Sequence, residues 1–433
     1  MEGMSDLSPD ADKGGIKKSG HGREVINYRK CKRGRYLVTG DRKSAHSSKL
    51  IAHRECRMIR HCSNPSAIIM LLIIIAFVFP IRTAMAVEKD WKQAIGPWQW
   101  SFPRDHGAHP EYRTEWWYFT GNLRDREGNQ YGYQLTFFRQ GLTLVAPWPD
   151  NPWSIRDVYL AHFAIVDRTS GKFWYYDQAS RSGPGLAGAK LGNLDVWTLN
   201  WSAKMIGNTI HLKAHMDKMA LDLEISPRKP RVFHGDNGLS TKGPNPGQAS
   251  YYYSLTDLAT KGWIQTELSK NYFAVTGISW FDQEFGSNVL GSDQVGWDWF
   301  GIHLSDGRDI MLFQLRKKDG TIEACSSGTI IEKDGSSRHL RQSEISLNVK
   351  EHWKSPKSGG TYPARWGIKI PSTGIDITLT PIVASQELVT EASTGVTYWE
   401  GAVTGSGISK GISVTVEGYA ELTGYAGSLD RVF

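Results

Sequence analysis

Glu115-Trp-Trp-Tyr-Phe-Thr-Gly-Asn-Leu123 runs into Tyr133-Gln-Leu-Thr-Phe-Phe-Arg139, and a near copy follows at Trp297-Asp-Trp-Phe-Gly-Ile-His-Leu304 and Ile310-Met-Leu-Phe-Gln-Leu-Arg316. In each copy an aromatic strand leads to a polar tip, and an apolar strand returns and ends on Arg. The repeat predicts two related β-domains in one chain.

Beyond residue 87 the apolar residues alternate with polar ones almost throughout, as in Thr209–Met216, Ala220–Ile225, Ile375–Leu379 and Ile412–Ala420. Turn signals punctuate them at Glu127-Gly-Asn129, Asp236-Asn-Gly238, Asp306-Gly307, Asp319-Gly320 and Lys333-Asp-Gly335. Many short strands with tight turns predict an all-β fold of antiparallel barrels or sandwiches, with domains at 87–287 and 288–433. The best helical stretch is Ser385–Thr394, with Glu387 and Glu391 on one face.

The apolar run 67–80 has no charge, follows Arg60 and His61, and precedes Thr-Ala-Met-Ala86. That pattern predicts a secretory signal cleaved after Ala86, with a periplasmic or secreted product; the alternative is an inner-membrane anchor over 67–81. The basic extension 1–66 is longer than a signal needs, and Met58 would supply an ordinary start. Lys and Arg number 51 against 44 Asp and Glu overall, but 16 and 7 of these precede residue 87. The remaining 35 bases and 37 acids make the later part slightly acidic, which argues against nucleic acid as a partner. Of four cysteines only Cys325 follows the cleavage point, so no internal disulfide is expected there; its reading is a small buried apolar residue.

All 17 Trp lie after residue 87. Indoles dominate buried area but need partners for their N–H, so this richness predicts aromatic floors and, at Trp116/Trp117 and Trp297/Trp299, a lining for an elongated apolar ligand. Glu115 reads as a buried acid or a strand-start carboxylate. In Gly277-Ile-Ser-Trp-Phe-Asp-Gln-Glu-Phe-Gly286, Asp282 and Glu284 share one strand face among apolar neighbours. Desolvation and a like charge both raise a carboxyl pKa, as a general acid requires; the alternative is a salt bridge to Arg139 or Arg316. His106/His109 and His211/His215 read as structural or surface residues, so no metal is expected. No phosphate-binding Gly-rich loop calls for a nucleotide cofactor, and no G-x-S-x-G elbow supports a serine hydrolase.

Together with Gly238-Leu-Ser-Thr-Lys-Gly243, Ser250-Tyr-Tyr-Tyr-Ser254, Tyr398-Trp-Glu-Gly401 and Gly418-Tyr-Ala-Glu-Leu-Thr-Gly-Tyr425, these blocks resemble the bacterial "predicted secreted hydrolase" proteins. Those proteins have two lipocalin-like (calycin) domains in tandem and are distant relatives of carotenoid 1,2-hydratases. The resemblance runs from about residue 95 to the C-terminus. It implies binding of a lipid-like or isoprenoid molecule, and an association with ABC-type transporter components. The hydratases protonate an alkene with an Asp that matches Asp282. Their Tyr two residues earlier corresponds to Trp280, and their His-x-Trp positions to Tyr251 and Tyr253.

Three readings follow. The first is a secreted lipocalin-like protein that binds a hydrophobic small molecule. The second is a hydratase-type enzyme with Asp282 as acid and Glu284, Trp280, Tyr251 and Tyr253 around it. The third is an envelope accessory protein docked to a transporter.

Overall fold

In the computed structural model, residues 90–287, 290–427 and 429 are described. The proposed signal segment, its cleavage point and the basic extension lie outside them. The first half contributes β1 (Thr114–Asp125), β2 (Gln130–Gly141), β3 (Asp157–Asp167), β4 (Lys172–Arg181), β5 (Ala187–Ala189), β6 (Asp195–Thr198), β7 (Trp201–Ile206), β8 (Thr209–Met216), β9 (Met219–Pro227), β10 (Val232–Phe233), β11 (Leu239–Thr241), β12 (Ala249–Gln265) and β13 (Phe273–Gly286). The second contributes β14 (Gln294–Leu304), β15 (Asp309–Lys317), β16 (Ser327–Ile331), β17 (Ser337–Arg341), β18 (Ser346–Lys354), β19 (Thr361–Ile370), β20 (Ile375–Pro381), β21 (Glu387–Val389), β22 (Thr397–Ser409) and β23 (Ile412–Leu422).

The repeat seen in the sequence is a repeat of topology. In the first sheet the order is β4-β3-β2-β1-β13-β12-β9-β8-β7-β6-β5, so the opening strand sits between its hairpin partner and the last strand. The second sheet, β17-β16-β15-β14-β23-β22-β20-β19-β18, does the same, and β14 stands where β1 stands. Every pairing is antiparallel, and the first sheet curls until β3 and β4 touch β5 and β6. The hairpin tips use one device: Asp125 and Asp306 accept backbone N–H groups two residues on, and Gly128 and Gly307 take φ of 87° and 90°.

Ser385–Thr394 is not a helix. Glu387–Val389 pairs with β22 as β21, because Glu387 and Leu388 are buried and the Glu387 carboxylate accepts from Ser355 and Ser358.

Each curled sheet is filled by its own inward side chains. Trp117, Phe119, Tyr133, Trp201, Tyr253 and Phe281 close the first core, and Phe300, Tyr362, Trp366 and Trp399 the second. A separate aromatic layer, with Tyr118, Tyr252, Trp280, Trp299, Phe313 and Tyr419, lies where the outer faces of the sheets meet. The seam is close-packed: a Cβ on Gly132 of β2 would come within 2.6 Å of Ala402 Cβ and 2.8 Å of Val166 Cγ1. Gly132→Ala is therefore expected to destabilise the protein by about 1–3 kcal/mol through overpacking. Denaturant unfolding would measure this, and an unchanged midpoint would refute the close packing.

Candidate functional site

Strand parity decides which side chains meet at the seam. On β13, Phe281, Gln283 and Phe285 turn inward, while Trp280, Asp282 and Glu284 turn to the outer face. Pairing lays Tyr118 and Ser254 opposite Asp282, and Trp116 and Tyr252 opposite Glu284. The second sheet adds Trp297 and Trp299 from β14, Phe313 and Leu315 from β15, and Glu421 from β23. With Gln134, Thr136, Phe138 and Lys242 they enclose a cavity of about 80 Å³. By the space one water needs, this holds several waters or one slender apolar group. Trp116 and Phe138 also wall a groove of about 240 Å³ that runs past Leu142, Val158 and Leu160.

Asp282 is 3% exposed and receives three donors. Trp280 Nε1–H (2.6 Å) and the Ser254 hydroxyl donate to Oδ1, and the Tyr252 hydroxyl donates to Oδ2 at 2.7 Å. Oδ2 takes one donor where Oδ1 takes two, so Oδ2 is the oxygen with room for a proton. Burial pushes the Asp282 carboxyl up to about 7; the Ser254, Tyr252 and Trp280 hydrogen bonds pull against this, and Glu284 adds to it. Tyr252 also accepts from Trp299 Nε1–H at 3.0 Å, so one indole of the second sheet supports the acid of the first.

The remaining carboxylates differ in their partners. Glu284 pairs with Lys242 at 3.1 Å and accepts from Ser250, and the Lys242 ammonium lies 4.2 Å from the Phe313 ring centroid. Glu421 accepts from Trp297 Nε1–H at 3.0 Å; burial, with Glu284 and Asp282 nearby, pushes it up to about 7 against that bond. Glu400 stands directly across β22/β23 from Glu421 and is fully buried. Its Oε1 accepts from the Tyr118 hydroxyl at 2.5 Å, and its Oε2 has no partner among the described residues. Burial and Glu421 hold Glu400 well above the usual carboxylate range. Among the described residues no cation pairs with Asp282, Glu400 or Glu421.

Ser254 links Asp282 to His234, whose Nε2 lies 2.6 Å from Ser254 Oγ and whose Nδ1 lies 2.9 Å from Thr329 Oγ1. Burial and Lys242 hold His234 well below its ordinary value, so the ring is neutral. This is not an acyl-transfer triad: Ser254 is fully buried and donates to the carboxylate, and among the described residues no carboxylate orients the His. Nor is Cys325 an activated thiol, since burial and Glu323 push it up; it is half-buried rather than buried.

Of the residues singled out in the sequence, Asp282, Glu284, Trp280, Trp116, Trp297 and Trp299 come together at the seam. Glu115, Trp117, Tyr251 and Tyr253 do not, because odd positions of β1 and β12 face the other way. Trp117 and Tyr253 belong to the first core, and Tyr251 packs with Trp98 and Phe285 in a separate cluster. Glu115 is buried against His109 Nδ1 (2.7 Å), Gln283 and Arg139, and Arg139 also pairs with Asp157. Arg316 pairs with Asp298, so neither Arg neutralises Asp282 or Glu284. Tyr118, Tyr252, Ser254, His234, Lys242, Glu400 and Glu421 were not anticipated. The run Ser250-Tyr-Tyr-Tyr-Ser254 did carry a signal, since hydroxyls at 250, 252 and 254 share one face with Asp282. Lys242, in a Gly/Pro-rich loop, carried none.

The family model for AttH-like proteins matches residues 93–425. The chain belongs to the AttH-like family. Among solved structures this AttH-like protein is similar to an AttH protein of Nitrosomonas europaea, at 33% identity over 77% of this chain and 99% of that one, with a TM-score of 0.69. It is also similar to kievitone hydratase of Nectria haematococca, at 19% identity over 79% and 98% of the two chains and a TM-score of 0.60, a likeness of fold. No curated protein matches the AttH-like chain. The fold agrees with the two lipocalin-like β-domains in tandem expected from the sequence blocks.

Proposed function

We propose that this protein adds water across a carbon–carbon double bond of an apolar, elongated molecule held at the seam between its two β-domains. The observation that carries the reading is Asp282: a buried carboxyl without a cation, its hold on the proton raised by burial, facing a cavity walled by indole and phenol rings. Its proton passes to one alkene carbon. The cation left on the other carbon is met by ring faces, with Tyr118 and Trp299 edge-to-face at 5.1 Å, and by an acidic surround in which Lys242 is already paired. Water then forms the C–O bond and releases a proton. The hydratase name of a structural neighbour agrees with this chemistry, and the reading rests on the residues of this chain.

The cavity admits one slender end of such a molecule, and the adjoining groove offers apolar cover for the rest. Cleavage after Ala86 and export are part of the same proposal, as is receipt of the ligand from a transport system. The test is native mass spectrometry of the protein from its own host, followed by organic extraction and incubation in H₂¹⁸O. A bound unsaturated lipid or isoprenoid that gains one ¹⁸O supports the reading. A ligand that binds and never gains oxygen would reduce the protein to a carrier, the role favoured by its lipocalin-like fold alone.

A further inference from the structure

Hydration needs two proton transfers, one to carbon and one from water. Asp282 can supply the first, and the structure points to where the second goes. Glu421 lines the same cavity but is carried by the other domain, on β23. Trp297, itself a cavity residue, fixes its Oε2 through a 3.0 Å hydrogen bond, so the carboxylate is oriented before any ligand arrives. Lys242 is spent on Glu284 at 3.1 Å, and no cation among the described residues holds Glu421 in the ionised form. Across the β22/β23 ladder stands Glu400, buried with one oxygen unpartnered and the other bound to Tyr118, the residue opposite Asp282. Two carboxyls without cations, Asp282 and Glu421, therefore line one cavity, with Glu400 buried beside Glu421, and ionisation of any one of the three opposes ionisation of the others.

Resting on the hydration reading above, we infer that Glu421 is the second catalytic carboxyl: it takes the proton from the attacking water while Asp282 gives its proton to carbon. The balance closes. The Asp282 O–H bond breaks as the new C–H bond forms; the water O–H bond breaks as the C–O bond forms; Glu421 ends protonated and Asp282 ionised. Return of that proton from Glu421 to Asp282, through water in the cavity, restores the starting state. The pair carries the same charge before and after hydration, and at the cation stage the extra carboxylate charge is matched by the cation, which suits a site shielded from solvent. Glu400 is a positioning residue: while it keeps its own proton it sets no like charge against Glu421, which is then free to ionise and act as the base. The acid comes from the first β-domain and the base from the second, so one domain alone carries only half of the reaction.

The experiment compares the full protein with Glu421→Gln and Asp282→Asn. Farnesol is the probe, in D₂O and in H₂¹⁸O, with mass spectrometry reading one deuterium and one ¹⁸O per product. Quenching of Trp fluorescence reports binding. The expected result is that each variant loses about 10²-fold or more of turnover and keeps farnesol affinity. Glu421→Asp is expected to recover part of the rate, and the pH profile of Glu421→Gln to lose one of the two limbs seen in the parent. If Asp282→Asn is inactive and Glu421→Gln is as fast as the parent, the role of Glu421 is overturned and hydration stands. If the parent incorporates no label, or Asp282→Asn stays fully active, hydration falls and the role of Glu421 falls with it. Denaturant unfolding of each variant separates loss of chemistry from loss of fold.

Discussion

Asp282→Asn is expected to lower turnover by about 10²–10⁴-fold, the span of a lost general acid, with ligand affinity nearly unchanged. Asn keeps the shape of the side chain and its acceptor for Ser254 and Trp280, but it carries no proton that an alkene can take. The same change alters stability in the opposite direction. The folded carboxyl sits at about 7 against an ordinary 3.8, so the folded protein holds the proton more firmly than the unfolded chain does. That stabilisation is complete below the ordinary carboxylate range and is lost as pH rises through about 7. At pH 8 the parent therefore bears a buried charge that Asn avoids. The variant should be more stable there by about 1–3 kcal/mol, and the advantage should vanish near pH 4. Urea unfolding at the two pH values, alongside product analysis, checks both claims. A variant that turns over normally would remove Asp282 from the chemistry.

Arg139→Leu is expected to cost about 3–5 kcal/mol, as breaking a buried ion pair from one side does. The guanidinium is fully buried and bonds Glu115 (3.3 Å), Asp157 (3.0 Å) and the carbonyl oxygens of His109 (3.0 Å) and Tyr112 (2.7 Å). Leu would leave two carboxylates in the interior without that cation and two carbonyls without a donor. The control is Arg228→Ala. Arg228 pairs with Asp257 but is half exposed, and its loss should cost about 1 kcal/mol or less. Equal denaturation midpoints for the two variants would show that burial does not set the value of these pairs.

The two-domain β architecture was legible because alternation and turn chemistry act over a few residues, and because the aromatic strand at 115–123 recurs at 297–304. The carboxyl pair at the seam was legible too: Asp282 and Glu284 are two apart, and a strand puts such a pair on one face. What failed was pairing between distant strands. Nothing local tells whether Tyr251 or Tyr252 faces Asp282; that follows from the register of β12 on β13, set by the whole sheet. The same holds for Glu421 and Glu400, which reach the site only because the outer faces of two sheets meet. Glu387 misled for a related reason, since its carboxylate is satisfied by serines about 30 residues away rather than by a helix.

Along β13 one set of positions (281, 283, 285) packs into the interior of the first domain, while the alternate set (280, 282, 284) faces the seam, with 282 and 284 lining the cavity. Selection can therefore act on the two sets separately. Residues that face the seam can change with the molecule being handled, while the interior that keeps the chain folded stays as it is. One inserted or deleted residue in this strand would exchange the sets and destroy both at once. Such a lineage would be expected to diversify by substitution on the seam face and to confine changes of length to its loops.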